Sequence, residues 1–188
     1  MKTETRKDEI ISTAARLFKE KGYSAVSMRD LAKAMGIKAA SLYNHISSKQ
    51  EILKEIIISL AEEFTTGMDR IMSSESKCLE KLRAVIALHI KISSQNIFGM
   101  ASLNNDWMHL EDQLDYYLKL RFDYEDNFRR IISEGIKKGE LVNCDPDVML
   151  FSMLSTLRSL YIWMPKKDLD SDKLAGSLSQ VLIEGISA

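Results

Sequence analysis

Apolar side chains recur at helical spacing along most of the chain. In the stretch RKDEIISTAARLFKEKGY they fall three and four residues apart, which is typical of the buried face of a helix. Gly22 follows where such a helix would end. Ser27, with Asp30 three residues later, fits a capping box and predicts that a second helix begins at Met28.

The next segment, MGIKAASLYNHISSK, predicts a turn followed by a third and short helix. Gly36 can take the positive φ that a tight turn needs, and Leu42 with Ile46 would bury one side of the helix. Ser48 with Glu51 fits a second capping box and predicts the start of a fourth helix. Short helices joined by a glycine turn predict a helix-turn-helix.

The pattern continues as helices through the rest of the chain, so the predicted fold class is all-α. One segment, GMASLNNDWMHL, lacks clear periodicity and is predicted to be less regular. Gly139 should stop the helix before it, and Asp145 followed by Pro146 should begin the next one. The predicted helices after the third are 49–72, 78–98, 111–138, 147–164 and 171–186.

Composition agrees with an ordinary globular helical protein. The 188 residues are 45% hydrophobic and 28% charged, with only two Pro and eight Gly to interrupt helices. No apolar run approaches the roughly 20 residues that cross a bilayer, and the charged N-terminus lacks the apolar core of a secretory signal. We therefore expect a cytoplasmic protein with no membrane partner, whose Cys78 and Cys144 are reduced thiols.

Charge is distributed unevenly between the two ends of the chain. Residues 1–54 carry 11 Lys and Arg against 6 Asp and Glu, whereas the remainder carries 15 against 21. A basic end on an acidic body favours a polyanion as the partner of the N-terminal part.

The third helix has the residue types of a DNA-reading helix. In a helix-turn-helix the second helix lies in the major groove, and small residues such as Ala39 and Ser41 allow close approach to the bases. Arg29 could reach a guanine or a phosphate, and Ser27 could add a hydroxyl to a phosphate. The other candidate phosphate donors are Lys38, Tyr43, His45 and Lys49. The alternative is a helical scaffold whose polar residues are only solvated.

Residues 8–55 closely resemble the DNA-binding domain of the tetracycline-repressor (TetR) family of transcriptional regulators. The matching stretches are AARLFKEKGY, a hydroxyl residue before MRDLAKAMG, and GIKAASLYNHISSKQEIL, with Ile46 where many members have Phe. The resemblance implies a DNA-binding domain at 1–50, a ligand-binding and dimerisation domain at 51–188, and no enzymatic activity. It implies phosphate contacts from Ser27, Tyr43, His45 and Lys49. It implies base contacts from Arg29, Lys38, Ala39, Ser41 and Asn44.

The last two helices predict a homodimer. Residues 147–164 are apolar almost all round, and the final helix has an apolar stripe beside small residues, so both favour pairing across a two-fold axis. Burial within one chain is the alternative, but a dimer is what reads two half-sites of an operator, and the TetR resemblance implies the same interface. The predicted interface residues are Leu154, Leu157, Tyr161, Leu174, Leu178, Val181 and Leu182.

Aromatic, Met and polar side chains in the middle helices predict an apolar effector cavity, although the same residues could simply form core. The predicted ligand residues are His89, Phe98, Met100, Asn104, Trp107, Met108, Tyr117, Arg121 and Phe128. The second half is also similar to TetR-family regulators of lipid and acyl-CoA catabolism, through Arg121 before Tyr124, IISEGIKKGEL and the Trp-Met-Pro step. That similarity implies an acyl-CoA or fatty-acid effector for a repressor.

Other functions are less well supported by the sequence. A drug-like or cationic effector of an efflux regulator is the main alternative, with Asp106, Glu111 or Asp115 as acidic partners. Asp106 and His109 near Glu111 lack a second His at metal-binding spacing, and no nucleophile or phosphate-loop motif is present, so no cofactor or metal is expected. A structural helical adaptor would differ by lacking salt-sensitive DNA binding.

Overall fold

The computed structural model describes residues 5–166 and 170–185, and the regular structure within them is helical throughout. This confirms the predicted all-α class. The α-helices are α1 (Arg6–Lys21), α2 (Met28–Ala34), α3 (Ala39–Tyr43), α4 (Lys49–Met72), α5 (Cys78–Gln95), α6 (Ile97–Asn105), α7 (Leu114–Lys137), α8 (Pro146–Arg158), α9 (Leu160–Trp163) and α10 (Ser171–Ser179). Single 3₁₀ or π turns lie at Tyr23–Ala25, Trp107–His109, Glu111–Gln113, Met164–Lys166 and Gln180–Glu184.

Polar side chains cap these helices where the sequence predicts them. Ser27 Oγ accepts from the Asp30 N–H at 3.2 Å, while the Asp30 carboxylate accepts from the Ser27 N–H at 2.9 Å. The predicted capping box of α2 is therefore confirmed. Asp145 caps α8 ahead of Pro146, as predicted. Such caps satisfy N–H groups that have no partner inside the helix.

The start of α4 forms only half of its predicted capping box. Ser48 Oγ accepts from the Glu51 N–H at 3.0 Å. The Glu51 carboxylate, however, accepts from the N–H and hydroxyl of Ser47 at 2.7 and 2.6 Å, because Ser47 offers two donors to the same oxygen. These hydrogen bonds lower the pKa of Glu51.

The first of two compact units contains the described part of residues 1–61 together with residues 96–118. Within it α1 packs against α6 and α2. The segment GMASLNNDWMHL was predicted to be irregular, and this prediction is wrong for its first half, because α6 runs from Ile97 to Asn105. Gly99 explains the error: it lies where a Cβ atom would be 3.0 Å from Leu60 Cδ1, so it serves close helix packing and not a break.

The second unit contains residues 62–95 and the described part of residues 119–188. In it α5 packs against α8, α9 and α10. The predicted helix 147–164 is divided at Ser159, and the predicted last helix becomes a π turn after Ser179. Residue 186, where that last helix was predicted to end, lies outside the described residues. The functional boundary predicted at residue 50 stays a prediction.

Two further observations bear on the sequence predictions. In residues 5–166 and 170–185, no helix has both the length and the apolar character that crossing a membrane requires. Both cysteines are free thiols, with Cys78 buried and Cys144 exposed.

Candidate nucleic-acid and effector sites

Main-chain hydrogen bonds fix the turn between α2 and α3. The Ile37 N–H donates to the Ala32 carbonyl at 3.0 Å, and the Gly36 N–H donates to the Lys33 carbonyl at 3.2 Å. Gly36 has φ of +67°, which confirms its predicted conformation and is a region that favours glycine. The turn therefore holds α3 at a fixed angle to α2.

Apolar anchors determine which side of α3 is presented to solvent. Leu31 of α2, Leu42 of α3 and Ile46 after it are buried, as predicted. The opposite side is polar and open. Of the nine predicted DNA-contacting residues, Ala39 and Lys49 are half-buried. The exposed ones are Ser27, Arg29, Lys38, Ser41, Tyr43, Asn44 and His45.

Ser27 already makes hydrogen bonds within its own capping box. Its hydroxyl donates to the Asp30 carboxylate at 2.5 Å. Hydrogen bonds from the Ser27 hydroxyl and N–H lower the pKa of Asp30, so this carboxylate is ionised at neutral pH. A phosphate that approached Ser27 would therefore have to compete with Asp30 for the hydroxyl proton.

Lys49 has a structural role that the sequence did not reveal. Its Nζ donates to the carbonyls of Tyr23 and Val26 at 3.0 and 2.9 Å and lies 4.2 Å from the centre of the Tyr23 ring. Two of the three ammonium donors are thus used inside the protein. The partners precede Lys49 by more than twenty residues, so no local motif points to them.

A groove of about 530 Å³ lies beside this lysine within the first unit. The Tyr23 ring stacks with His109 at 5.2 Å, and Gln50 Nε2 donates to the His109 carbonyl at 2.7 Å. Glu111, with φ of +45°, has a conformation that is uncommon for a residue other than glycine. The groove is lined by Tyr23, Ser48, Lys49, Gln50, Met108, His109 and Glu111.

Burial and acidic neighbours perturb two groups near this groove. Burial, followed by the negative charges of Glu111 and Asp106, raises the pKa of Tyr23. Burial likewise raises the pKa of Asp106. Each shift arises because burial disfavours the charged form.

Six of the nine predicted ligand residues belong to the first unit, and they do not form one cluster there. Met100 is buried and the Asn104 amide donates to its carbonyl at 2.7 Å. Trp107 and Tyr117 pack as a ring pair at 5.8 Å. Phe98 is partly exposed under the Lys19 ammonium, whereas Met108 is exposed and lines the groove.

The other three predicted ligand residues lie in the second unit. Phe128 is fully buried, and Arg121 forms an ion pair with Glu125 at 3.1 Å. Arg158 also pairs with Glu125, at 2.6 Å. His89 is buried as well. His89 and Phe128 are therefore core residues and Arg121 is part of an ion pair, and all three remain ligand candidates.

His89 is part of a buried aromatic cluster that sequence analysis did not identify. Its Nε2 lies 2.9 Å from the Tyr124 hydroxyl, and its ring lies 4.7 Å from that of Phe64. His89 Nδ1 and Ser93 Oγ, one turn apart on α5, have no hydrogen-bond partner among the described residues. Burial lowers the pKa of His89 to about 3, with a smaller effect from the Arg158 charge. The imidazole is therefore neutral at physiological pH.

The predicted dimer residues divide into buried and accessible ones. Leu154, Leu157, Tyr161 and Leu174 are buried within one chain. Leu178 and Leu182 are half-buried and Val181 is half exposed. Large apolar side chains that the prediction did not include are exposed on the same helices, namely Val148, Phe151 and Ile162. We use the name exposed apolar face for Val148, Phe151, Ile162 and Val181, which are exposed on α8, α9 and the turn after α10.

In the described part of the chain, no three His, Cys, Asp or Glu side chains are grouped to hold a metal ion. This includes Asp106, His109 and Glu111, which the sequence placed near one another.

Comparison with known proteins gives matches over both parts of the chain. Residues 10–56 match the family model for bacterial regulatory proteins of the tetR family, and residues 75–186 match the tetracyclin repressor-like C-terminal domain. The uncharacterized HTH-type transcriptional regulator YhgD of Bacillus subtilis (strain 168) is 28% identical, over 97% of this chain and 97% of YhgD.

A repressor and a solved structure are also similar. The HTH-type transcriptional repressor KstR2 of Rhodococcus jostii (strain RHA1) is 24% identical, over 97% of this chain and 92% of KstR2. The structure of AibR in complex with isovaleryl coenzyme A and operator DNA superposes with a TM-score of 0.76 at 24% identity. That superposition covers 95% of this chain and 98% of AibR, and it concerns the fold.

Proposed function

Because the chain belongs to the TetR family of bacterial transcriptional regulators, we propose that it is a repressor that binds palindromic operator DNA as a homodimer and is released by a small apolar effector. The observation that carries the proposal is the outward side of α3 and its flanks. Small, aromatic and cationic side chains are exposed there, while the buried Leu42 and Ile46 anchor this segment in the core.

The residues of this surface divide by chemistry into two groups of proposed contacts. Arg29 and Asn44 can make paired hydrogen bonds to base edges, and Ala39 offers a methyl group for contact with thymine. Ser41 is also exposed and completes the base-reading group, whereas the exposed Lys38 can reach a base edge or a phosphate. Tyr43, His45 and Ser27 are proposed to contact phosphates, which positions the helix without reading sequence. Lys49 is left out of this group, because its ammonium already donates to two carbonyls inside the protein.

Selection from random DNA, followed by binding measurements over a range of salt concentrations, tests this proposal. We expect enriched sites to be two-fold symmetric, with half-sites about one helical turn apart. Tyr43→Phe should weaken specific and random DNA equally, because a phosphate contact carries no sequence information. Enrichment of no site, or binding that is independent of salt, would contradict DNA binding of this kind.

We place the two-fold interface on the exposed apolar face. Four large apolar side chains that one chain leaves open on α8, α9 and the turn after α10 favour contact with a second molecule. The predicted Leu178 and Leu182 flank this face and would be covered with it. The buried Leu154, Leu157 and Leu174 would support the interface from beneath and not form it.

An acyl-CoA or fatty acid is the proposed effector class. AibR, which has the same fold, binds isovaleryl coenzyme A together with operator DNA in its crystal structure, so this architecture is compatible with an acyl-CoA. The similarity of the second half to regulators of lipid catabolism favours the same class. Among the predicted ligand residues of the second unit, His89 is the candidate that supports this class, because its buried Nδ1 has no described hydrogen-bond partner.

A cationic effector is less well supported by the groove of the first unit. Its acidic residue Glu111 and its aromatic residue Tyr23 are the types that hold an organic cation. The Lys49 ammonium already lies on the Tyr23 ring, however, and it would repel a second cation.

Linkage provides the test of induction. An effector lowers operator affinity only through its different affinities for the two states of the protein, which typically amounts to about 1–3 kcal/mol of coupling. Operator DNA must then weaken effector binding by the same factor. Decanoyl coenzyme A and dodecanoate should be titrated by calorimetry with and without operator. Tight binding that saturating operator leaves unchanged would contradict induction by that compound.

A further inference from the structure

We propose that His89 Nδ1 and Ser93 Oγ form a polar anchor that binds the uncharged carbonyl oxygen of an otherwise apolar effector. This inference rests on the effector role proposed above and specifies the chemistry that the site selects. It starts from two polar atoms that are buried within the second unit and have no partner among the described residues. Buried polar groups in proteins are nearly always hydrogen-bonded, so such a pair indicates a further binding partner.

The Tyr124 hydroxyl determines which proton His89 carries. Tyr124 is buried, and its described hydrogen-bond partner is His89 Nε2 at 2.9 Å. If Tyr124 donates, only the Nδ1–H lacks a described partner, whereas in the other tautomer both the Tyr124 O–H and the Nδ1 lone pair would lack one, which costs more. Tyr124 therefore donates to Nε2, and the proton of the neutral imidazole resides on Nδ1. Nδ1 is thus a hydrogen-bond donor.

Ser93 supplies a second donor on the same helix. It follows His89 by four residues on α5, which places the two side chains on one face of the helix. Its side chain is fully buried, whereas the neighbouring Ser94 is exposed and its hydroxyl donates to the Lys91 carbonyl. Two neutral donors on one face match a single acceptor atom with two lone pairs.

The surroundings favour an acceptor that carries no charge. The Phe64 ring lies 4.7 Å from His89 and 5.8 Å from Tyr124, so the anchor has apolar neighbours. A carboxylate would enter without a free counter-charge, since Arg158 is already paired with Glu125. A cation would face the partial positive charges of the two donor protons. A ketone, ester or thioester carbonyl has neither disadvantage.

The test compares ligands of equal chain length that differ only in the head group. Calorimetry on the full chain would use 2-dodecanone, dodecanoyl coenzyme A, dodecanoate and dodecyltrimethylammonium. We expect the ketone and the thioester to bind wild-type protein more tightly than the other two compounds. Ser93→Ala should weaken the ketone and the thioester by roughly 5- to 10-fold, which is the usual value of one hydrogen bond.

Ser94→Ala is the matched control, because it removes the same hydroxyl from an exposed site and should change no affinity. Ser93→Ala should leave the melting temperature unchanged or raise it, because it deletes a buried hydroxyl that has no described partner. Long-range ¹⁵N NMR of the imidazole provides an independent measurement and should find the proton on Nδ1.

Several results would overturn the anchor. They are equal affinity of Ser93→Ala and wild type for the ketone, preference for the ammonium compound, failure of all four compounds to bind, and a proton on Nε2. The effector role fails separately. If the ketone binds through Ser93 but operator affinity does not change, the anchor stands and induction by such ligands does not. If a compound releases operator equally from wild type and from Ser93→Ala, induction is supported and the proposed anchor is wrong.

Discussion

Helix α3 and the second unit place their polar and apolar side chains in opposite ways. Around α3 the polar residues, such as Lys38 and Asn44, are exposed and the apolar anchors are buried. In the second unit, His89 and Ser93 are polar and buried, while Phe151 and Val181 are apolar and substantially exposed.

The two regions are therefore suited to different kinds of partner. A polyanion such as DNA requires exposed cationic and polar groups, which look like ordinary surface. An apolar effector or a second subunit requires positions that break the usual distribution, since buried polar groups need partners and exposed apolar patches are uncommon in monomers. Exceptions to the usual distribution are therefore more informative in the second unit than in the first.

The largest effect is expected at the exposed apolar face. Phe151→Glu combined with Val181→Glu should convert the proposed dimer to a folded monomer, because each charge would lose its hydration in the proposed interface. We expect a loss of about 3–5 kcal/mol of dimerisation free energy. Sedimentation velocity measures the assembly, and circular dichroism checks folding. Val142→Glu is the control, because Val142 is exposed in the loop before α8. A double variant that remains dimeric would place the interface elsewhere.

The next largest effect concerns the buried imidazole of His89. The pKa of folded His89 is about 3 and its ordinary value is 6.5, so the unfolded chain binds a proton between these pH values that the folded chain does not. The free energy of unfolding should therefore fall as pH drops below 6.5, by up to about 1.4 kcal/mol per pH unit, with no contribution above 6.5.

Urea unfolding at pH 7.5 and pH 5 measures this loss. It should shrink by about 2 kcal/mol in His89→Gln, which has no imidazole to titrate at this position. Equal pH dependence of wild type and His89→Gln would contradict the neutral buried imidazole.

Local chemistry explains how much of this structure the sequence predicted. The capping box at Ser27 and Asp30, the turn at Gly36 and the full extent of α4 depend on residues within one or two helical turns, and all three were predicted. Exposure of most of the proposed DNA-contacting residues follows from the same periodicity. Their contacts with DNA stay a prediction, since they involve a second molecule.

The sequence failed where residues distant in the chain determine the outcome. The sequence predicts that Gly99 interrupts a helix. In the structure Gly99 lies within α6, at a position where a Cβ atom would be 3.0 Å from Leu60 Cδ1. His89 and Tyr124 are 35 residues apart, so their hydrogen bond has no local pattern. Leu157 is buried within one chain, which depends on tertiary packing, and its predicted place in the dimer interface stays a prediction.

A smaller effect should separate base reading from phosphate contact within the exposed group. Arg29→Ala should reduce the preference for one base step by about 1–3 kcal/mol if the guanidinium makes two hydrogen bonds to a guanine. Binding to variant operators, each changed at one step, measures this preference. Arg16→Ala is the control, because Arg16 is an arginine of α1 that pairs with Glu20. Equal losses on specific and random DNA for Arg29→Ala would assign Arg29 to phosphate contact.

The smallest effects should distinguish two lysines that the sequence could not rank. Lys38 is exposed, whereas Lys49 donates to two carbonyls and lies on the Tyr23 ring. Lys49→Ala should therefore lower the free energy of unfolding by about 1–2 kcal/mol, since hydrogen bonds from a charged group and a cation–π contact are lost. Lys38→Ala should leave stability unchanged and reduce the slope of log affinity against log salt by about 1. Urea unfolding and salt titrations of both variants measure the two quantities. If Lys49→Ala lowers the salt slope and not the stability, its ammonium leaves the carbonyls to bind phosphate, and the contrast between an exposed and an occupied lysine disappears.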